Sequence, residues 1–303
     1  MKLWNKYHTP ATVDQTLSLL AQYNGAARIV AGGTDLLVDA HADEREPFEA
    51  LIDITGIKGL CHITADDSRV TIGAGVTHTQ IVQNQVLRSR ATCLVESCGV
   101  VGGPQVRNVA TLGGNVVHAL PAGDGTVSLV ALDAIAEVIQ KGERQHIPIV
   151  EMYRGPGVSL LVPGRDFLLS LHFNLCGKNE ASAFKRIMRP QGVALPILGC
   201  AVWVRLDETL EEYEAVRVCI APVGPTPRRI TEVEDSLVGQ PVNEESLAQA
   251  IAVAQKAVSL RTSRYRATAA YRQEMVAVLL RRTLPLAIER ARSGEAVPEG
   301  IGV

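Results

Sequence analysis

Two stretches of this chain combine small residues with a spacing suited to holding a phosphate on backbone donors. The first is Ile29, Val30, Ala31, Gly32, Gly33, Thr34, Asp35, Leu36 and Leu37; the second is Thr111-Leu112-Gly113-Gly114-Asn115, running on to Pro121-Ala122-Gly123-Asp124. Each follows a short apolar run that reads as a strand. Each offers residues without a bulky Cβ substituent, where main chain can come close to a ligand. N–H groups gathered at a strand-to-loop turn bind phosphate or pyrophosphate without a cationic side chain. Glycine pairs alone carry little weight, because 26 Gly in 303 residues give about two adjacent pairs by chance. The six cysteines, Cys61, Cys93, Cys98, Cys176, Cys200 and Cys219, lack the tight spacing of a zinc or iron–sulfur site. They read as buried thiols of a cytosolic protein. His62 and His118 read as loop or strand-end residues.

Composition bounds the rest. A chain of 303 residues can bury a large core and divide into two or more units. With 47% hydrophobic and 20% charged residues it is ordinary for a soluble globular protein. A formal net charge of -2 argues against a nucleic-acid binder held by phosphate contacts, and 4% aromatics supply no stacking platform. The segment Met1-Lys2-Leu3-Trp4-Asn5-Lys6 leads into no apolar core of a signal peptide, and no uncharged apolar run approaches ~18 residues. The expected place is the cytoplasm, with no membrane span. The arginines between Arg261 and Arg292 read as a solvated helix face.

The glycine stretches need elements to hold them. Residues 12–24 predict an amphipathic helix with Val13, Leu17, Leu20 and Ala21 on one face and Asn24-Gly25 as its stop. Ala27 to Ala31 reads as a buried strand into the first glycine turn, and Leu51 to Ile54 as another, making a small α/β unit. Arg69 to Gly75 alternates like a strand. Thr77-His78-Thr79-Gln80 fits a capping box opening a helix through about Ser89, and a second helix spans Thr92 to Val100. Val127, Val130, Ala131 and Ala134 mark a further helix face. A hairpin turns at Lys141-Gly142-Glu143, and Arg165 to Phe173 is a strand. The polar run from Asn174 to Glu180 marks a domain boundary. Beyond it come strands over 182–188, 197–206 and 214–221, then helices near 229–238, 244–260 and 267–292.

Taken together, in order along the chain, these motifs resemble the FAD-binding medium subunit of the molybdenum hydroxylases. That group contains carbon monoxide, xanthine and nicotinate dehydrogenases and 4-hydroxybenzoyl-CoA reductase. The resemblance is carried by Ala31-Gly32-Gly33-Thr34-Asp35-Leu36, Leu51-Ile52-Asp53-Ile54 and Ile72-Gly73-Ala74-Gly75-Val76-Thr77. Pro104-Gln105-Val106-Arg107-Asn108, Thr111-Leu112-Gly113-Gly114-Asn115, Pro121-Ala122-Gly123-Asp124 and Ala221-Pro222-Val223-Gly224-Pro225-Thr226-Pro227-Arg228 complete it. It implies an α+β fold: a two-lobed FAD-binding domain of the PCMH/vanillyl-alcohol-oxidase-like type over residues 1–177, with lobes of about 1–57 and 58–177. A three-stranded sheet with a helical bundle would follow over 178–303.

The resemblance further implies that residues 29–36 and the turn of Thr111, Gly113, Gly114 and Asn115 hold the FAD pyrophosphate between the lobes. Val101 would lie near the flavin, Asp124 would hydrogen-bond the cofactor, and Leu161 and Lys185 would flank its site. Bland readings stand beside these: Asp124 or Asp35 as a helix cap, Asn115 as a stabiliser of its own turn, Lys185 as a surface charge. Arg107 either bonds local loop carbonyls or docks a partner. Leu120, Gly123 and Gly192 depart from the family pattern, and a cysteine-bearing insertion for a [4Fe–4S] cluster is absent. No general base or nucleophile is set apart, as suits a chain whose cofactor does the chemistry. The implied function is an electron-transfer subunit of a molybdenum-containing oxidoreductase. Its partners would be a large molybdopterin-binding subunit, which carries the molybdenum cofactor, and a small [2Fe–2S] subunit, in a dimer of heterotrimers. Electrons would leave to NAD, a quinone or ferredoxin. Two rival readings are a self-contained FAD-dependent oxidoreductase and a non-enzymatic nucleotide-binding assembly protein.

Overall fold

A computed structural model describes residues 4–41, 48–189, 195–264 and 266–301. The first lobe is the small α/β unit: β1 (Lys6–His8), α1 (Val13–Tyr23), β2 (Ala27–Val30), α2 (Thr34–His41) and β3 (Ala50–Asp53). β3 is central, with β1 and β2 parallel to it on either side. Thr12 caps α1 by accepting from the Gln15 N–H, and Asn24 ends it in the left-handed conformation that an Asn-Gly pair favours. Leu20 and Tyr23 of α1 bury against Ala27, Ala50 and Ile52 of the sheet. The first glycine segment therefore joins a strand to a helix, with Gly33 at φ +70°.

The second lobe opens with β4 (Ile63–Ala65) and β5 (Arg69–Gly73). Six short helices follow: α3 (His78–Gln83), α4 (Gln85–Arg90), α5 (Thr92–Gly99), α6 (Pro104–Arg107), α7 (Leu112–His118) and α8 (Asp124–Ala131). The chain then returns as β6 (Ile135–Gln140), β7 (Glu143–Pro148), β8 (Tyr153–Gly155), β9 (Val158–Ser159) and β10 (Phe167–Asn174). An antiparallel sheet runs in the order β4-β5-β10-β6-β7, and the β6–β7 hairpin turns at Lys141 and Gly142, both at positive φ.

Two expectations change here. The helix expected from Thr77 to about Ser89 is two helices, because Asn84 ends α3 and its Oδ1 accepts from the Leu87 N–H at 3.0 Å to start α4. The second glycine segment follows no named strand; Thr111 forms a single bridge with Thr77. Its glycines lie in the first turn of α7, since the Thr111 hydroxyl accepts from the Gly114 N–H at 3.0 Å and fixes a helix start there.

Beyond residue 177 stand the antiparallel strands β11 (Glu180–Met188), β12 (Pro196–Leu206) and β13 (Tyr213–Ala221), then α9 (Thr231–Leu237), α10 (Glu244–Ala257) and α11 (Ala269–Ser293). One sheet face packs on these helices through residues such as Val202, Ile220, Leu280 and Leu284. The other presents Phe184, Ala201, Trp203 and Cys219 to the core of the second lobe. A buried ion pair fastens the two sides: Arg290 of α11 meets Glu96 of α5 at 2.6 Å, with side-chain exposures of 3% and 1%. Glu96 also accepts from the N–H groups of Phe184 (2.7 Å) and Glu299 (2.9 Å), while Arg290 donates to the carbonyls of Ser182 and Val297.

Arg290→Met should leave the Glu96 carboxylate buried without its cation and destabilise the fold by about 3–5 kcal/mol. Urea unfolding should show that loss, and adding Glu96→Gln should recover part of it by removing the stranded charge.

Candidate functional site

A cleft of about 610 Å³ lies where the two lobes and the C-terminal sheet meet. That is within the usual range for a small-molecule or cofactor site. One wall is the end of β2 and the start of α2, residues 29–36. The other includes Thr111, Gly113, Gly114 and Asn115. Val101, Leu161 and Asp124 also line it, together with His78, Arg186 and Arg266.

The two glycine segments are neighbours because main chain meets main chain. A Cβ on Gly32 would fall 2.1 Å from the Val109 carbonyl oxygen, and one on Gly113 would fall 2.4 Å from that of Ala74. Gly114 differs, since a Cβ there would meet only the Thr111 hydroxyl, at 3.1 Å. The donors are unequally divided. In the second segment the Leu112 N–H donates to Val76 O, that of Gly114 to Thr111 Oγ1 and that of Asn115 to Thr111 O, which leaves Gly113. At α2 the first turn closes with the Leu37 N–H on Gly33 O at 2.9 Å. The preceding N–H groups have no acceptor within the helix and stand at the positive end of its dipole. The first segment is thus the fuller anion cradle.

Asp124 opens α8 and is 5% exposed. Its Oδ2 accepts from Arg186 Nη1 at 2.7 Å, whereas its Oδ1 and the Arg186 Nε have no hydrogen-bond partner. Burial pushes the Asp124 carboxyl up to about 7, against the downward pull of Arg186 and Arg266. The capping reading of Asp124 gives way, because Asn115 takes that part: its Oδ1 accepts from the Thr126 N–H at 3.3 Å and ties α7 to α8. Asn115 therefore reaches beyond its own turn. Asp35 lies in the first turn of α2, 3.8 Å from His118 Nε2.

Lys185 is not among the cleft residues. Its Nζ meets Glu299 Oε2 at 2.6 Å, while the next residue, Arg186, faces the cleft. Alternation along β11 allows only one of these neighbours to do so. Sequence reasoning missed Arg186, Arg266 and His78. A period-two reading of Lys185-Arg186 offers the choice without deciding it, and His78 sits just inside the capping box of α3. The Arg107 guanidinium donates to Gly102 O at 3.1 Å and Val101 O at 3.4 Å, which is the local reading of that residue. Leu120 lies at the cleft, and Gly192 lies outside the described residues. Among the described residues, no group of three or more His, Cys, Asp and Glu side chains could hold a metal ion. No described helix is long and apolar enough to cross a membrane. Glycine walls, helix-start donors and the Asp124–Arg186 pair in the lining suit a ligand carrying a phosphate group and further hydrogen-bonding groups. FAD has both.

Residues 3–173 match the family model described as the FAD binding domain in molybdopterin dehydrogenase, and residues 182–287 match the CO dehydrogenase flavoprotein C-terminal domain. Over 288 residues the chain is 28% identical to the putative xanthine dehydrogenase FAD-binding subunit of Escherichia coli (strain K12), spanning 94% of this chain and 96% of that one. It is 30% identical over 288 residues to subunit alpha of the 6-hydroxypseudooxynicotine dehydrogenase complex of Paenarthrobacter nicotinovorans, spanning 94% and 95%. Among solved structures, a chain of carbon monoxide dehydrogenase from Hydrogenophaga pseudoflava matches with a TM-score of 0.88 at 25% identity, over 96% of this chain and 99% of that one.

The Asp124 carboxyl titrates near 7 in the fold, against an ordinary value of 3.8. Across that window the native state holds a proton that the unfolded chain has lost, so this group makes stability fall as pH rises. Urea midpoints of the cofactor-free chain between pH 4 and 7 should show that slope, and Asp124→Asn should remove it.

Proposed function

The chain belongs to the FAD-binding family of the molybdopterin dehydrogenases, and from that premise we propose that it is the electron-transfer subunit of a multi-subunit molybdenum hydroxylase. It is a subunit of an oxidoreductase, and its cofactor is FAD. The observation that carries the proposal is the meeting of the two glycine segments across one cleft, with helix-start donors on one side and Asp124 in the lining. The N–H groups of Thr34, Asp35 and Leu36, with that of Gly113, would hold the pyrophosphate. Asp124 would hydrogen-bond the cofactor. Val101 and Leu161 would give it apolar walls that exclude water. When bound, FAD supplies the storage of two electrons between a one-electron donor and an acceptor.

The partners follow from the same reading. Relatives are named as the medium chain of carbon monoxide dehydrogenase in Hydrogenophaga pseudoflava and the medium subunit of nicotine 6-hydroxylase in Paenarthrobacter nicotinovorans. By extension this chain would assemble with a large molybdopterin-binding subunit and take electrons from a small [2Fe–2S] subunit, in a cytoplasmic dimer of heterotrimers. It would deliver electrons to NAD, a quinone or ferredoxin.

Two measurements check this. Gly114→Val adds methyl groups at a residue lining the cleft without its Cβ striking main chain. It should purify folded, by circular dichroism and melting, but with little flavin. Gly113→Val, which collides with Ala74, should lose the fold as well. Full flavin content in a folded Gly114→Val chain would remove the second segment from the site. Native purification should bring down an iron–sulfur subunit and a molybdenum subunit. A free chain that turns over an organic substrate unaided would favour the self-contained oxidoreductase instead.

A further inference from the structure

We infer that His78 positions the cofactor, offering a neutral ring nitrogen to an uncharged hydrogen-bonding edge of FAD beside the second glycine segment; this rests on the FAD reading above. His78 begins α3, is 1% exposed, and lines the cleft together with Val101, Gly102, Val106 and Ala110. Its place is tightly set. Thr77 closes a capping box with Gln80, the His78 N–H donates to Ala110 O at 3.0 Å, and the Leu112 N–H donates to Val76 O at 3.1 Å. The main chain on both sides of His78 is thus stitched to the segment that leads into Gly113.

The ring has no such attachment. Nδ1 is sealed from solvent and unpartnered, whereas Nε2 is not sealed and likewise accepts or donates no hydrogen bond among the described residues. Leaving a buried polar atom unmet costs about 1–3 kcal/mol, which an apolar side chain of similar volume avoids. With Nδ1 out of a ligand's reach, the partner outside the protein that accounts for a histidine here meets Nε2. Burial, and then the nearby Arg107 guanidinium, push its pKa down to about 4, so the ring stays uncharged at neutral pH. A neutral imidazole has one donor and one acceptor nitrogen. It suits a ring heteroatom, a carbonyl or a sugar-type hydroxyl, and not the pyrophosphate, which the amides of α2 already suit.

The test uses the full chain, stripped of flavin and titrated with FAD, alongside its melting temperature without cofactor. His78→Phe fills the site without a polar atom. It should weaken FAD binding by about tenfold or more, the effect of one lost hydrogen bond, while the cofactor-free chain melts no lower than wild type. His78→Gln, whose amide approximates Nε2, should restore affinity to within about threefold. His78→Phe binding FAD as tightly as wild type would overturn the inference. So would a loss that His78→Gln does not rescue and that tracks a lower melting temperature. A wild-type chain that binds no FAD would instead sink the FAD reading, and this inference with it.

Discussion

The cleft exists because two pieces of main chain touch where no side chain can stand between them. At Gly32 a single added carbon would sit 2.1 Å from one backbone atom of residue 109 and 2.7 Å from the Ala110 Cα. Gly164 makes a second seam, its would-be Cβ lying 2.7 Å from the carbonyl oxygens of both Gly25 and Ala27. These contacts set the first lobe against the second at fixed separation on opposite sides of the cleft. Everything the site offers a ligand follows from that spacing: the start of α2 on one wall, the start of α7 on the other. Backbone donors suit this use because their directions are set by helix geometry rather than by rotamers.

A second dependence runs through buried charge. Glu96 and Arg290 bind the second lobe to the C-terminal bundle, and Asp124 and Arg186 repeat the connection at the cleft itself. The two pairs differ in completeness. Glu96 and Arg290 are surrounded by backbone partners, so the pair reads as structural. Asp124 and Arg186 each keep an unpartnered atom and both line the cleft, so that pair belongs to the site rather than to the scaffold. The C-terminal sheet is thus more than a support, because β11 contributes Arg186 to the cleft from the other half of the chain.

Much of this was legible in the sequence, for identifiable reasons. Thr12 and the Asn24-Gly25 pair bound α1 by local chemistry, and the meander of β11, β12 and β13 carries its own alternation and polar turns. What stayed hidden was decided by contacts distant in sequence. Apolar residues continue at helical spacing across Asn84, so nothing in the periodicity shows that its side chain ends one helix and caps the next. The glycines at 113 and 114 read as a turn because their poor helix propensity is visible, while the Thr111 cap that outweighs it is not. Lys185 and Arg186 carry the same charge on adjacent positions. Which of them faces the cleft depends on how β11 packs against α5 and α11. Asn115 reaches past its own turn for the same reason: its side chain supplies the start of α8 with an acceptor from the helix before it.

The central claim is that backbone donors hold a pyrophosphate in this cleft. Titrating the flavin-free chain with FAD, and separately with riboflavin, tests it most directly. FAD should bind once per chain, and riboflavin about a hundredfold more weakly, the equivalent of two charge-assisted hydrogen bonds of about 1.5 kcal/mol each. Equal affinities for the two would mean that the ring system alone carries the binding and that the glycine segments hold no pyrophosphate.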